Sequence, residues 1–229
     1  MSSIADRYAH IRARIEDACH RAGRAVTDVR LMAVTKRQPV EVIAEAASLG
    51  IRLFGENRVQ ETKEKRHLFP ADGELHLIGH LQRNKAKDAA ALYDAVQSLD
   101  AVRTVVELEK RLAVEGRLLP VMVEVNTSGE ESKQGVETED QLYIVVDAIM
   151  SSPHMLLNGL MTIGPISRDE TVLRTAFARL KKMHEDVGAR YRVELPECSM
   201  GMSNDIEEAV LEGSTMVRVG TALFGARDT

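Results

Sequence analysis

The chain has 229 residues, 44% hydrophobic and 28% charged, an ordinary composition for a soluble fold with a sizeable core. A net charge of -5, no tryptophan and only 3% aromatic residues argue against a nucleic-acid partner and against a stacking platform for single strands. No apolar run approaches the ~18 residues of a spanning helix, and Cys19 and Cys198 have neither a CxxC nor a metal-ligand spacing, so a reduced cytosolic protein without a membrane segment is expected.

Ser2 or Ser3 can cap a first helix that runs to about Ala22, with Ile4, Tyr8, Ile11 and Ile15 on one face and Gly23 as its stop. From Leu31 onward, short apolar runs alternate regularly with helical segments. The expected strands are Leu31 to Thr35, Ile51 to Phe54, Leu75 to Ile78, Asp94 to Gln97, Leu119 to Val125, Met155 to Met161, Glu197 to Met200 and Thr215 to Val219. The expected helices between them lie near Val40 to Leu49, through Val59 and Lys65, and around Arg83 to Ala91. They continue at Ala101 to Glu115, Glu139 to Met150, Arg168 to Gly188 and Asp205 to Leu211.

Eight strand-then-helix steps without a hairpin signal imply parallel strands joined by helical crossovers, and eight is the number that closes a barrel. The expected fold is α/β, a single (β/α)8 TIM barrel over residues 1–229 with an additional N-terminal helix. A doubly wound open sheet is the alternative, but the GxGxxG that usually follows its first strand is missing.

Barrels of this kind place their sites at the C-terminal strand ends. Lys36 follows the first strand there, where desolvation of an amine lowers its pKa and makes it a nucleophile towards carbonyls; a lysine snorkelling out of a strand end is the plainer reading. After the later strands come Gly55, Glu56 and Asn57, then Gly79, His80, Gln82 and Asn84, then Ser98, then Asn126, Thr127 and Ser128, then Thr162. The last two loops are SMGMSND, Ser199 to Asp205, and RVGTALFG, Arg218 to Gly225, with a short helical turn expected near Thr221. These are the places where such barrels bind phosphate on open N–H groups, although each serine or glycine alone is plain turn chemistry. Arg218, inside VRVG, needs a buried partner, an ion pair across the barrel being the simplest.

A nucleophilic lysine opposite a phosphate cradle suggests pyridoxal phosphate held as a Schiff base. An aldolase acting on a sugar phosphate would use similar parts. His76 and His80 have a metal-pair spacing, but Gly79 breaks the geometry, and no metal is expected. Glu130, Glu131 and Lys133 read most simply as a solvated rim, with a lid or a client contact as the other reading.

The sequence closely resembles the YggS/PROSC family, the pyridoxal phosphate homeostasis proteins, essentially from end to end. The carriers are AVTKRQP around Lys36, FGENRVQE at Phe54 to Glu61, HLIGHLQRNK at His76 to Lys85 and VNTSGEESKQGV at Val125 to Val136. GLMTIG at Gly159 to Gly164 and the long block from Ser199 to Gly225 complete the set. The resemblance implies the barrel of the alanine-racemase N-terminal domain, a fold type III protein. It also implies pyridoxal 5'-phosphate carried on Lys36, Asn57 beside the ring, and Ser203, Gly220 and Thr221 at the phosphate. Arg218 would sit near the phosphate or the pyridine nitrogen. Arg58, where many members have an aromatic residue, and Thr162-Ile163-Gly164 are the departures, expected at the rim.

The related racemases need a second β-domain and its tyrosine, which this sequence is not expected to contain; Tyr8, Tyr93, Tyr143 and Tyr191 all fall away from the expected rim. The expected function is therefore a carrier or buffer in vitamin B6 homeostasis, monomeric and cytoplasmic, that passes its cofactor to client enzymes. A monomeric amino-acid racemase of low activity is the alternative.

Overall fold

The computed structural model describes residues 3–130 and 132–225. The Ser3 hydroxyl accepts the Asp6 N–H at 3.1 Å while the Asp6 carboxylate accepts the Ser3 N–H at 2.9 Å, so a reciprocal cap opens helix α1, Ile4–Ala22. Gly23, at φ 66°, closes it. The alternative cap, Ser2, lies outside the described residues.

The chain then alternates as the apolar periodicity requires: β1 Arg30–Val34, α2 Glu41–Ser48, β2 Leu53–Glu56, α3 Val59–Lys65, β3 Glu74–Leu77, α4 Ala86–Leu92 and β4 Ala95–Leu99. The second half runs α5 Val102–Glu115, β5 Leu119–Glu124, α6 Glu139–Met150, β6 Met155–Met161, α7 Glu170–Tyr191, β7 Glu197–Ser199, α8 Ile206–Leu211, β8 Met216–Val219 and α9 Thr221–Phe224. Each strand pairs in parallel with the next, and β8 returns to β1 with Ala33 opposite Val219, which closes the barrel.

The period of two divides each strand between an outer and an inner face. Ala33, Phe54, Val96, Val121, Val123 and Val217 pack outward against the helices. Met32, Val34, Leu53, Ile78, Met122, Met161 and Met216 fill the interior. Four of those seven are methionines, whose unbranched thioethers adapt to the polar groups that share the axis.

The clearest displacement from the expected elements is β2, which begins two residues later than Ile51 and ends at Glu56. The Ile51 N–H closes the end of the preceding helix on the Ala46 carbonyl at 3.3 Å, and the ladder instead carries Gly55 opposite Val34 and Glu56 opposite Leu77. Ser98 and Ser199 lie inside β4 and β7 rather than in the loops after them. The helix expected from Arg83 opens as a single 3-10 turn, Arg83–Lys85, before α4.

Candidate functional site

Along β1 the inward positions are Met32 and Val34, and the next one in the alternation is Lys36. The register survives past the strand end, because the Thr35 N–H still donates to the Gly55 carbonyl at 3.1 Å. Lys36 is half-buried and lines a cavity of about 420 Å³ at the C-terminal mouth of the barrel. The apolar walls come from Val34, Ile78, Ile163, Pro165, Ile166 and Met202.

Another part of the wall is a polar turn built by the loops after β7 and β8, which contribute Ser203, Asn204, Gly220 and Thr221. The Ser203 hydroxyl accepts the Ala222 N–H at 3.1 Å and so ties the two loops together. From behind, Arg14 of α1 donates to the Ser203 carbonyl at 3.0 Å and to both carboxylate oxygens of Glu207 at 2.6 Å. Gly201 sits at φ 94°, and a Cβ there would lie 2.5 Å from that of Ala209, so the tight loop admits only glycine. The N–H groups of Ser203, Asn204 and Thr221 donate to no described residue, which leaves open donors on three residues that line the same cavity.

Asn57 reaches the cavity from the end of β2. The β3 loop packs so closely on it that a Cβ at Gly79 would come within 2.3 Å of the Asn57 carbonyl oxygen. Its amide oxygen is buried without a hydrogen-bond partner among the described residues. An orphaned buried acceptor beside an open set of donors marks a place for a ligand.

Arg218 points into the barrel and is 4% exposed. It donates to the Ser199 hydroxyl at 2.7 Å and to the Thr162 carbonyl at 2.6 Å, so its partners are neutral groups rather than the expected ion pair. Burial pushes its pKa down to about 10, against the opposing fields of Asp205 and Glu124. The hydrogen bonds continue below it. Ser199 donates to the Gln97 amide oxygen at 2.8 Å, the Gln97 NH2 lies 2.9 Å from His76 Nδ1, and His76 Nε2 lies 3.2 Å from Glu74. Because a guanidinium and an amide NH2 only donate, Nδ1 accepts and Nε2 carries the proton. The result is a file of hydrogen bonds of one sense along the barrel axis.

Three residues gained importance only in three dimensions. Glu124, at the end of β5, is 3% exposed, and burial pushes its pKa up to about 7, helped by the negative charge of Asp100 and opposed by Arg218. Its inward position follows from the alternation that buries Met122, a signal present in VMVE although a continuous apolar run hides it. Lys133 is not part of a solvated rim: it lines the cavity and bonds Glu130 at 2.7 Å and the Gly164 carbonyl at 2.8 Å. Gln97 completes the axial file. Glu131 lies outside the described residues. Gly164 is buried in the cavity wall, deeper than the rim expected for it, whereas Ile163 lines the cavity at 38% exposure and Arg58 is exposed, as a rim position requires.

The expected site residues Lys36, Asn57, Ser203, Arg218, Gly220 and Thr221 are thus brought to one cavity. His76 and His80 are not; His80 pairs instead with Asp100 at 3.3 Å. None of the four tyrosines lines the cavity, and the Tyr93 hydroxyl is buried 2.6 Å from that of Thr62. Among the described residues no helix is long and apolar enough to cross a membrane.

Residues 7–228 match the family of the alanine racemase N-terminal domain. The pyridoxal phosphate homeostasis protein of Vibrio cholerae is 40% identical over 233 residues, an alignment covering 100% of this chain and 98% of the relative. The chain belongs to the pyridoxal phosphate homeostasis protein family. Among solved structures, PipY of Synechococcus elongatus with PLP bound is similar to this family member at 31% identity and a TM-score of 0.84, covering 97% of this chain and 100% of PipY. An alanine racemase of Clostridium difficile shares the fold at 16% identity and a TM-score of 0.77, and the family member covers 56% of that chain.

Proposed function

We propose that this protein binds pyridoxal 5'-phosphate through Lys36 and acts as a carrier that buffers the reactive aldehyde and passes it to client enzymes. The observation that carries this reading is the placement of a strand-end lysine in the same 420 Å³ cavity as a turn of open N–H donors. An aldehyde and a phosphate on one small aromatic ring satisfy both at once. The residues present fit that group: the orphaned Asn57 oxygen marks a polar edge, and the apolar walls accept the ring.

When bound, the cofactor would supply a carbonyl electrophile that the Lys36 amine could take up with loss of one water; hydrolysis would return the aldehyde, and a client lysine would exchange with Lys36 amine for amine, with no water consumed. Ser203, Gly220 and Thr221 hold the phosphate with backbone N–H groups at the loop turns. Arg218 keeps two donors on Thr162 and Ser199, inside the barrel and away from that turn, which supports a place beside the pyridine nitrogen. A guanidinium there discourages protonation of the nitrogen and weakens the ring as an electron sink.

This favours storage over turnover. Proton abstraction at a substrate carbon needs a second acid or base; in the described lining Lys133 is engaged by Glu130 and Gly164, and the Asp205 carboxylate accepts the Met202 N–H. A monomeric, cytoplasmic, single-domain carrier is part of the same proposal.

The test is borohydride reduction of the protein loaded with pyridoxal phosphate, followed by peptide mass mapping, beside the variant Lys36→Ala. The expected adduct lies on Lys36, the loaded protein reactivates a pyridoxal-dependent apoenzyme, and it forms no D-alanine from L-alanine. Modification confined to other lysines would overturn the site, and steady racemisation lost in Lys36→Ala would overturn the carrier reading.

A further inference from the structure

The turn that presents Lys36 is held from outside the barrel by buried charges that the cavity does not use. It is closed by the Gln38 N–H on the Thr35 carbonyl at 3.2 Å, and Arg37 at its apex has φ 56°. A non-glycine residue is uncommon in that left-handed region and costs free energy there unless its surroundings hold the backbone.

Here they do. The Arg37 N–H donates to Glu61 at 2.7 Å, and Lys65 donates to the same carboxylate oxygen at 2.9 Å. Lys65 also donates to the Thr35 carbonyl at 3.0 Å and to Glu56 at 2.8 Å, while the Thr35 hydroxyl donates to Glu56. Both peptides that flank Lys36 therefore end on one ammonium–carboxylate cluster: the Thr35 carbonyl on Lys65 and the Arg37 N–H on Glu61. Lys65 is 5% exposed and Glu56 fully buried. Burial raises the Glu56 pKa; at Glu61 burial also acts upward, but the bonds from Lys65 and Arg37 outweigh it and hold the carboxylate charged.

An ion cluster that merely joined β2 to α3 would have no need to grip the backbone on each side of one lysine. We propose that Glu61 and Lys65 are positioning residues for Lys36, fixing its two flanking peptides so that the amine enters the cavity already aimed. In this way they set the rate at which an aldehyde is captured there. The proposal rests on Lys36 being the capturing amine, and the two residues act through the backbone.

The test compares the full-length wild type with Glu61→Ala, Glu61→Gln and Lys36→Ala. Two readouts are taken: amide hydrogen exchange at Arg37 in the cofactor-free protein, and the rate constant for capture of pyridoxal phosphate by stopped-flow absorbance. The Glu61 side chain is 27% exposed, so its truncation leaves the core intact. Glu61→Ala is expected to speed Arg37 exchange and to slow capture by about tenfold, the scale of one charge-assisted hydrogen bond. Glu61→Gln keeps an acceptor oxygen for the Arg37 N–H and should stay within about threefold of the wild type.

Faster exchange with unchanged capture would make the bond purely structural and overturn the proposal, as would unchanged exchange. Failure of the underlying reading looks different: Lys36→Ala would then capture at the wild-type rate, and the proposal would fall with it.

Discussion

Replacing Glu124 by glutamine should remove a pH dependence from the stability of the whole fold. Glu124 sits inside the barrel at 3% exposure, and burial pushes its pKa from 4.5 to about 7. In the unfolded chain the carboxyl titrates near its ordinary value. The folded state therefore binds the proton more tightly, and its contribution is fully present below about pH 4.5 and is lost as the pH rises through about 7. At 1.36 kcal/mol per pKa unit, the displacement corresponds to about 3 kcal/mol. Glutamine has nearly the same shape and no titration, so the difference between the two proteins isolates this one group. Urea unfolding at several pH values between 5 and 8 supplies the measurement. The Glu124→Gln variant should gain on the wild type steadily across that range, approaching about 3 kcal/mol at the alkaline end. A difference that stays constant with pH would refute the reasoning and place Glu124 in contact with enough solvent or positive charge to remain ionised throughout.

Lys65→Met should cost about 3–5 kcal/mol, because it leaves the buried Glu56 carboxylate without its counter-charge; chemical denaturation should show much of that loss recovered in Lys65→Met/Glu56→Gln. Gly79→Ala should cost about 1–3 kcal/mol through the clash with the Asn57 backbone. By displacing Asn57, it should also weaken pyridoxal phosphate binding in a fluorescence titration more than an alanine placed at exposed Gly116 of the α5 cap.

The architecture was legible because parallel strands buried on both faces and amphipathic crossover helices leave a repeated apolar signal, and Met155 to Met161 reads the same in sequence and structure. Element ends were less legible where backbone pairing, rather than side-chain type, decides them. Gly55 and Glu56 carry no strand preference, yet the ladder extends through them. Lys36 was visible as a charge abutting a buried run, and Ser203, Gly220 and Thr221 as turn chemistry at the expected strand ends. Lys133 was not, since its place depends on how a long loop folds back to the Gly164 carbonyl. Nor were the bonds from Lys65 and Glu61 to the peptides beside Lys36, because Lys65 stands two helices and a strand further along the chain and only the pairing of β1 with β2 brings the end of α3 to Thr35.

The axial file from Arg218 through Ser199, Gln97 and His76 to Glu74 makes the stability contributed by each member depend on its neighbours. Ser199 and His76 each give one hydrogen bond and take one, and Gln97 takes one and gives two, to His76 and to the Met216 sulfur at 3.1 Å. Replacing Gln97 alone, for example, leaves the Ser199 hydroxyl proton and the His76 Nδ1 lone pair unmatched inside the barrel, although Arg218 still reaches Ser199 and Glu74 still faces His76. A single change within the file therefore costs more than the bond it removes, because it also leaves a buried polar partner unsatisfied.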